Sequence, residues 1–283
     1  MKNKILIFFE LIKFEHTIFA LPFAYMGLIL AKKAWPGWEI FFWVTAAMVS
    51  ARTAGMTLNR IIDRQIDAKN PRTKNRPIIT GEFKLSWAYI CVAAALVLFF
   101  LSAWRLNSLC FDLAPIAIVL LSGYHYVKRF SWLCHFSLGA VLAIAPIGGW
   151  VAVTGVFSFI PALLSMGVLF WVAGFDIIYS LQDVDFDKTN GLHSIPVKFG
   201  RQQSLKIAAY CHIATLVFLG LFGWAAHLGI LYWVGVGFSA ILLKLEHKVI
   251  ADGDVNKINT AFFTINGWIG ILLLIFTFLE IYR

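Results

Sequence analysis

Charge is what this sequence has least of. Only 14% of its 283 residues are Asp, Glu, Lys or Arg, against about 25% in an ordinary soluble domain, so most of the folded surface does not face water. Acidic residues are the scarcer kind, 15 against 24 basic ones. Cysteine is equally thin. Cys91, Cys110, Cys134 and Cys211 lie far apart, inside or beside apolar segments, and no CxxC occurs. That spacing implies no disulfide framework, and the four read as packing residues. A cleavable leader is also missing: Met1-Lys2-Asn3-Lys4 opens directly onto an apolar segment with no small-residue cleavage site, so the whole chain is expected to be mature. The formal charge of +9 raises nucleic acid as a partner. The basic residues, however, sit in short loops between apolar spans, a placement that fits anionic lipid headgroups or a phosphorylated substrate. No nucleic-acid partner is expected.

What the chain has in abundance is apolar length. Hydrophobic residues make up 60% of it, Phe alone occurs 26 times, and the mean hydropathy is +0.79. A helix needs about 20 predominantly apolar residues to cross the hydrocarbon core. Nine segments qualify: 14–31, 41–62, 86–104, 111–127, 133–153, 159–181, 204–225, 229–246 and 259–281. Lipid offers no water to satisfy backbone groups, so these are helices, with Pro22, Pro115, Pro146 and Pro161 as kinks or first-turn residues. If the N-terminus is inside, 18 Lys and Arg residues fall on the inner side and four outside (Lys32, Lys33, Arg105, Arg283), while Arg52 and Arg60 lie within the second span. Excess positive charge marks the cytoplasmic side, so the expected topology is N-terminus in, C-terminus out. The expected fold class is all-α integral membrane, one polytopic domain over 1–283, with two long cytoplasmic motif loops at 63–85 and 183–203.

Those two loops carry a weak repeat. Span two ends in Asp63 and Asp67, with Ser86 23 residues after Asp63; span six ends in Asp183 and Asp187, with Ser204 21 residues after Asp183. Duplicated membrane domains place sites at the repeat interface, and four helices per repeat plus one gives nine. Six of the fifteen acidic residues lie in two motifs, Asn59-Arg-Ile-Ile-Asp63-Arg-Gln-Ile-Asp67 and Asp176-Ile-Ile-Tyr179-Ser-Leu-Gln-Asp183-Val-Asp185-Phe-Asp187. Steps of four return to one helix face, so Asn59, Asp63 and Asp67 form one stripe and Tyr179, Asp183 and Asp187 another. A single such carboxylate would mark the water interface or pair with a nearby arginine; two matched stripes point instead to metal. Hard oxygen ligands at this spacing suit Mg²⁺, whose shell is completed by water and substrate phosphate, and a diphosphate would fill the open positions. The basic loop Arg72-Thr-Lys-Asn-Arg76-Pro77 is either a topology determinant or a clamp on diphosphate oxygens. Lys128, Arg129, Lys198 and His193 add to the same face, His193 being either a phosphate contact or a loop residue in water. The other six histidines show no metal-ligand spacing.

With Asn59–Asp67, the Arg72–Pro77 loop, Tyr179–Asp187 and the closing Gly191-Leu-His-Ser-Ile-Pro-Val-Lys-Phe-Gly200, the chain resembles the UbiA superfamily of intramembrane aromatic prenyltransferases over nearly its whole length. The opening Ile12-Lys-Phe-Glu-His-Thr-Ile-Phe-Ala-Leu-Pro22 also resembles that family's first span. Two small departures are Arg60, where many members carry Asp, and His193, where some carry Lys. The resemblance implies a nine-helix bundle whose central apolar chamber lies under a cytoplasmic cap and opens sideways to lipid. It implies Mg²⁺ held by Asn59, Asp63, Asp67, Asp183 and Asp187, and a diphosphate met by Arg72, Arg76, Lys128, Arg129, Tyr179, His193 and Lys198. Arg52 narrows it further. A buried arginine needs an anion, either an intramembrane carboxylate such as Asp176 or the carboxylate of an aromatic acid. Members resembling 4-hydroxybenzoate polyprenyltransferases carry Arg at this offset. The implied reaction is prenylation of 4-hydroxybenzoate at its 3-position in quinone biosynthesis, in a bacterial-type inner membrane, with a naphthoate-type acceptor as the alternative. Asp176 would orient the phenol or accept its proton. Two other classes remain to compare: an ion-coupled transporter, whose carboxylates belong near the midplane of broken helices, and a CDP-alcohol phosphotransferase, whose Asp-Gly-x-x-Ala-Arg run is absent.

Overall fold

A computed structural model describes residues 4–12, 17–251, 258 and 264–283. Lys2, Lys13 and Lys257, and the starts of the first and ninth expected spans (14–16 and 259–263), lie outside the described residues. Among the described residues every regular element is helical. Six stretches are long and apolar enough to cross a membrane: Leu85–Leu106, Ser108–Val127, Cys134–Thr154, Phe159–Thr189, Ile195–Ala225 and Ile230–Ile250. Phe19–Lys32 and Asn266–Ile281 are shorter apolar helices. Trp38–Ile62 has the length, 25 residues, but Arg52 and Arg60 dilute its apolar run. The chain packs as two compact units.

The first unit takes residues 1–17 and 38–125. It holds α1 (Lys4–Ile12), α3 (Trp38–Ile62), α4 (Arg64–Asp67), α5 (Pro77–Thr80), α6 (Leu85–Leu106) and α7 (Ser108–Val127). No span was expected before residue 14, yet α1 is a helix; it buries Leu11 against Ile78 and Ala88, with Phe8, Ile61 and Phe83 around them. One residue ends α6 and starts α7: Asn107 leaves the helix at φ −170°, and its Oδ1 accepts the Cys110 N–H at 2.9 Å, satisfying a donor that a helix start leaves open.

The second unit takes residues 18–37 and 126–283. It holds α2 (Thr17–Lys32), α8 (Cys134–Leu142), α9 (Ile144–Thr154), α10 (Phe159–Ser180), α11 (Val184–Thr189), α12 (Ile195–Ala225), α13 (Ile230–Ala251) and α14 (Asn266–Ile281). The core forms around Trp171 of α10, packed against Phe23 and Phe175 at ring-centroid distances of 5.2 and 5.0 Å. Side-chain caps start two helices: Ser158 accepts from Ile160 N–H and Ser194 from Val197 N–H, each at 3.3 Å.

The expected spans differ from these helices in three instructive places. The fifth is split at Ala143, because Pro146 supplies no N–H to residue 142 and its ring crowds that carbonyl. The seventh begins at Ile195, nine residues before the expected 204, and turns at Gly200, whose φ of 74° lies outside the helix region. The eighth continues past Glu246 to Ala251. Glu246 is therefore no interfacial residue: it is 0% exposed, and its Oε1 accepts from Asn266 Nδ2 at 2.8 Å while Asn266 Oδ1 accepts from Trp171 Nε1 at 2.8 Å. His212 and His247 meet beside it at 2.9 Å. These bonds tie α10, α12, α13 and α14 together through polar groups that apolar surroundings would otherwise penalise.

Candidate active site

In the first unit the stripe begins at the end of α3. The Asp63 N–H donates to Asn59 O at 3.0 Å and the Asp67 N–H to Asp63 O at 2.8 Å, so the four-residue step persists from α3 into α4. Asp63 itself leaves helical geometry, at φ −91° and ψ 4°, in the sparsely allowed bridge region where site residues often sit. Asp63 is 1% exposed and Asp67 6%. Carboxylates this enclosed need compensation. Asn59 Nδ2 donates to Asp63 Oδ2 at 3.0 Å and lies 3.1 Å from His125 Nδ1. Arg60, 5% exposed, donates to Asn59 Oδ1 at 3.2 Å and to Leu11 O at 3.4 Å. Arg76 forms an ion pair with Asp67 Oδ2. The loop between them is held by an Asn70 turn, whose Oδ1 accepts the Arg72 N–H at 2.9 Å, and by Thr73, which donates to Asp67 O at 2.9 Å. Asn59, Asp63, Asp67 and Arg76 thus come together, while Arg72 stands exposed and Arg52 is half-buried two turns up α3.

The second unit repeats this geometry. α10 passes through a tight turn at Leu181–Asp183, and Asp183 sits at φ −107°, ψ 4° before α11, closely matching Asp63. After each motif comes a short helical turn with proline at its start (Pro77, Pro196), then a glycine at positive φ (Gly81 at φ 79°, Gly200 at φ 74°), then a long apolar helix. The repeat seen faintly in carboxylate-to-serine spacing is therefore a repeat of backbone conformation. Asp183 and Asp187 are half-buried and Asp185 is exposed. Asp176, Tyr179, Ser180, Asp183 and Asp187 are each partly open and spaced to share one face.

The remaining candidates in the second unit are placed as follows. The connector 128–134 and the loop 191–199 are stitched together: the His193 N–H donates to Lys128 O at 2.7 Å, and Cys134 Sγ lies 3.4 Å from His193 O. Lys198 lies 4.3 Å over the Trp132 ring, and Arg129 4.9 Å over Tyr126, so both cations rest on aromatic faces. Asp176 is bonded through Oδ2 to His135 Nδ1 at 2.7 Å. Sequence reasoning missed His135, as well as Arg60, Thr73 and His125. No fixed spacing connects residue 135 to 176 or 59 to 125; a histidine or arginine inside an apolar span was the one signal for His135, Arg60 and His125, and Thr73 had none.

The donor set fits a hard cation. The first stripe presents carboxylate and amide oxygens, the second carboxylate and phenol oxygens, and neither holds a thiolate. Within each unit, among the described residues, no three His, Cys, Asp or Glu side chains converge as a ready cage.

The chain is similar to known proteins in sequence and in fold. The UbiA prenyltransferase family profile matches residues 20–268. A 4-hydroxybenzoate octaprenyltransferase of Cupriavidus metallidurans is 32% identical over 247 residues, which is 86% of this chain and 82% of that protein. The apo structure of a UbiA homologue from Aeropyrum pernix superposes with a TM-score of 0.85 at 34% identity, covering 94% of this chain and 98% of that one. A UbiA homologue from Archaeoglobus fulgidus, bound to GPP and Mg²⁺, shares the fold at a TM-score of 0.75 and 21% identity, over 98% of this chain and 100% of that one.

Proposed function

The chain belongs to the UbiA prenyltransferase family and is an integral membrane prenyltransferase; we propose that it transfers a polyprenyl group from a prenyl diphosphate to the 3-position of 4-hydroxybenzoate in quinone biosynthesis. In this reading residues 1–283 work as one domain, a bundle of nine spanning helices built as two four-helix repeats plus one. The loops 63–85 and 183–203 cap an apolar chamber on the cytoplasmic side of a bacterial inner membrane, with the N-terminus inside and the C-terminus outside. The observation that carries it is the matched break at Asp63 and Asp183, each halfway along a stripe of oxygen donors.

Asn59, Asp63, Asp67, Asp183 and Asp187 would hold Mg²⁺. When bound, the metal neutralises charge on the diphosphate and eases its departure. The arginines and lysines of the two loops bind the diphosphate oxygens: Arg72 and Arg76 as forked donors, with Lys128, Arg129, Lys198, His193 and the Tyr179 hydroxyl around them. The allylic C–O bond breaks with its electron pair leaving on the diphosphate. The ring carbon ortho to the acceptor hydroxyl forms the new C–C bond, and its proton is lost to restore aromaticity. A water-excluding chamber protects the allylic cation from hydrolysis, and aromatic walls stabilise it through their faces. Arg52 pairs with the acceptor carboxylate and Asp176 with its hydroxyl. The stripes end at helix ends beside basic loops, which favours this reading over transport, whose carboxylates belong at the midplane.

The test is direct. Protein purified in detergent is given Mg²⁺, a prenyl diphosphate and 4-hydroxybenzoate, and the products are read by mass spectrometry. Prenylated hydroxybenzoate with stoichiometric diphosphate release is expected. Prenylation of a hydroxynaphthoate alone would move the acceptor to the alternative, and no prenylated product from any aromatic acid would overturn the reading.

A further inference from the structure

Asp176 is a carboxylate set in the most enclosed of the apolar helices. Its neighbours Phe175 and Ile177 are 2% and 0% exposed, yet its own side chain keeps 24%, while that of its partner His135 keeps 3%. Both nitrogens of His135 are engaged. Nδ1 lies 2.7 Å from Asp176 Oδ2, and Nε2 accepts the backbone N–H of Ile195 at 3.3 Å. A backbone N–H only donates, so Nε2 carries no proton, and the single imidazole proton sits on Nδ1, pointing at the carboxylate. The hydrogen bond made by one ring nitrogen fixes the role of the other.

The Ile195 N–H is itself well anchored. It opens α12 directly after Ser194, whose Oγ caps the helix at Val197 N–H, and the preceding His193 is docked on Lys128 and Cys134. The chain of contacts therefore runs from the loop behind the second carboxylate stripe, through a buried imidazole, to Asp176. In the familiar carboxylate–histidine pair, the carboxylate orients the imidazole and the imidazole works. Here the roles are exchanged, because the imidazole has no free nitrogen and the carboxylate is the open group.

We propose that His135 is a positioning residue for Asp176: locked by Ile195 as the Nδ1–H tautomer, it fixes one carboxylate oxygen so that the other accepts the hydroxyl of the aromatic acceptor. The assignment rests on the proposed acceptor reaction and adds to it a residue, a tautomer and a link to the motif loop. An anionic acceptor for the hydroxyl's hydrogen bond raises electron density in the ring, and the bond shortens as the ring attacks, so it favours the transition state over bound substrate.

Two variants separate the two bonds. His135→Gln retains an acceptor for Ile195 but places no donor at Nδ1; His135→Asn retains a donor near Nδ1 and loses the Ile195 link. The expected result for His135→Gln is a fall of about tenfold or more in kcat/KM for 4-hydroxybenzoate, with prenyl diphosphate affinity unchanged and inhibition by benzoate, which lacks the hydroxyl, also unchanged. His135→Asn should recover most of the loss. Imidazole ¹⁵N shifts of His135 in the wild-type protein give a readout that needs no substrate, and the Nδ1–H tautomer is expected. An Nε2–H tautomer, wild-type turnover in His135→Gln, or benzoate and donor affinities falling in step with the hydroxy acid would each overturn the proposal. Failure of the wild type to prenylate any hydroxy acid would instead strike the acceptor reading on which it stands.

Discussion

At the scale of single residues, the proposed carboxylic-acid acceptor rests on Arg52. It stands seven residues before Asn59, two turns deeper in α3, where the aromatic ring and not the diphosphate is expected. Pairing with the acceptor carboxylate in a dry site predicts that Arg52→Ala raises the acceptor KM strongly and leaves prenyl diphosphate binding nearly unchanged. Losing such a charge pair costs about 2–5 kcal/mol, on the order of 30- to 4,000-fold. Arg52→Lys should restore little, because an ammonium lacks the bidentate fork. Steady-state kinetics with each substrate varied in turn checks this, and equal losses for both substrates would assign Arg52 to holding the bundle together. The carboxylate stripes were legible in the sequence because helical period alone aligns Asn59, Asp63 and Asp67. The partners that neutralise or orient the polar groups were not: His135 meets Asp176 41 residues away, and Glu246 meets Asn266 20 residues away, across helices whose mutual placement no local pattern encodes. The expected span 229–246 ends on Glu246, and only tertiary packing reveals that residue as interior.

At the scale of elements, the six long apolar helices were legible because lipid leaves a span no alternative to helix, and their ends blurred where local chemistry intervened. The nine-residue α1 was too short to register as a span and forms by packing its Leu11 face. The advance of α12 to Ile195 follows from the Ser194 cap and from Pro196 in the first turn, signals weaker than hydropathy. Helices α2 and α9 meet through small residues: a Cβ on Gly27 would lie 2.1 Å from Pro146 O, and one on Gly149 would lie 2.0 Å from Ala24 O. Membrane helices approach closely where side chains are absent, and backbone oxygens on both sides leave nothing flexible to move aside. Gly27→Ala and Gly149→Ala are each expected to lower stability by about 1–3 kcal/mol, read as a drop in detergent melting temperature. Gly148→Ala, on the same helix with open space around its Cβ, should be neutral. Equal melting temperatures for all three would remove the close crossing.

At the scale of the whole molecule, the account depends on two half-sites acting as one. Each unit carries the same sequence of devices: an apolar helix, a carboxylate at φ near −100°, a short turn, a proline-started turn, a glycine at positive φ and a second long helix. Sequence spacing hinted at this duplication through Ser86 and Ser204 but could not show that Asp63 and Asp183 share a backbone conformation, since bridge-region geometry leaves no compositional trace. Under the proposed function Mg²⁺ and diphosphate engage both motifs. The most direct test is turnover of Asp63→Asn and Asp183→Asn, each measured with and without Mg²⁺ beside its melting temperature. Each variant is expected to remain folded and to lose turnover to the level of the metal-free wild type. Retention of more than about a tenth of the wild-type rate by either folded variant, a barrier change under ~1.4 kcal/mol, would contradict a single site built from both motifs.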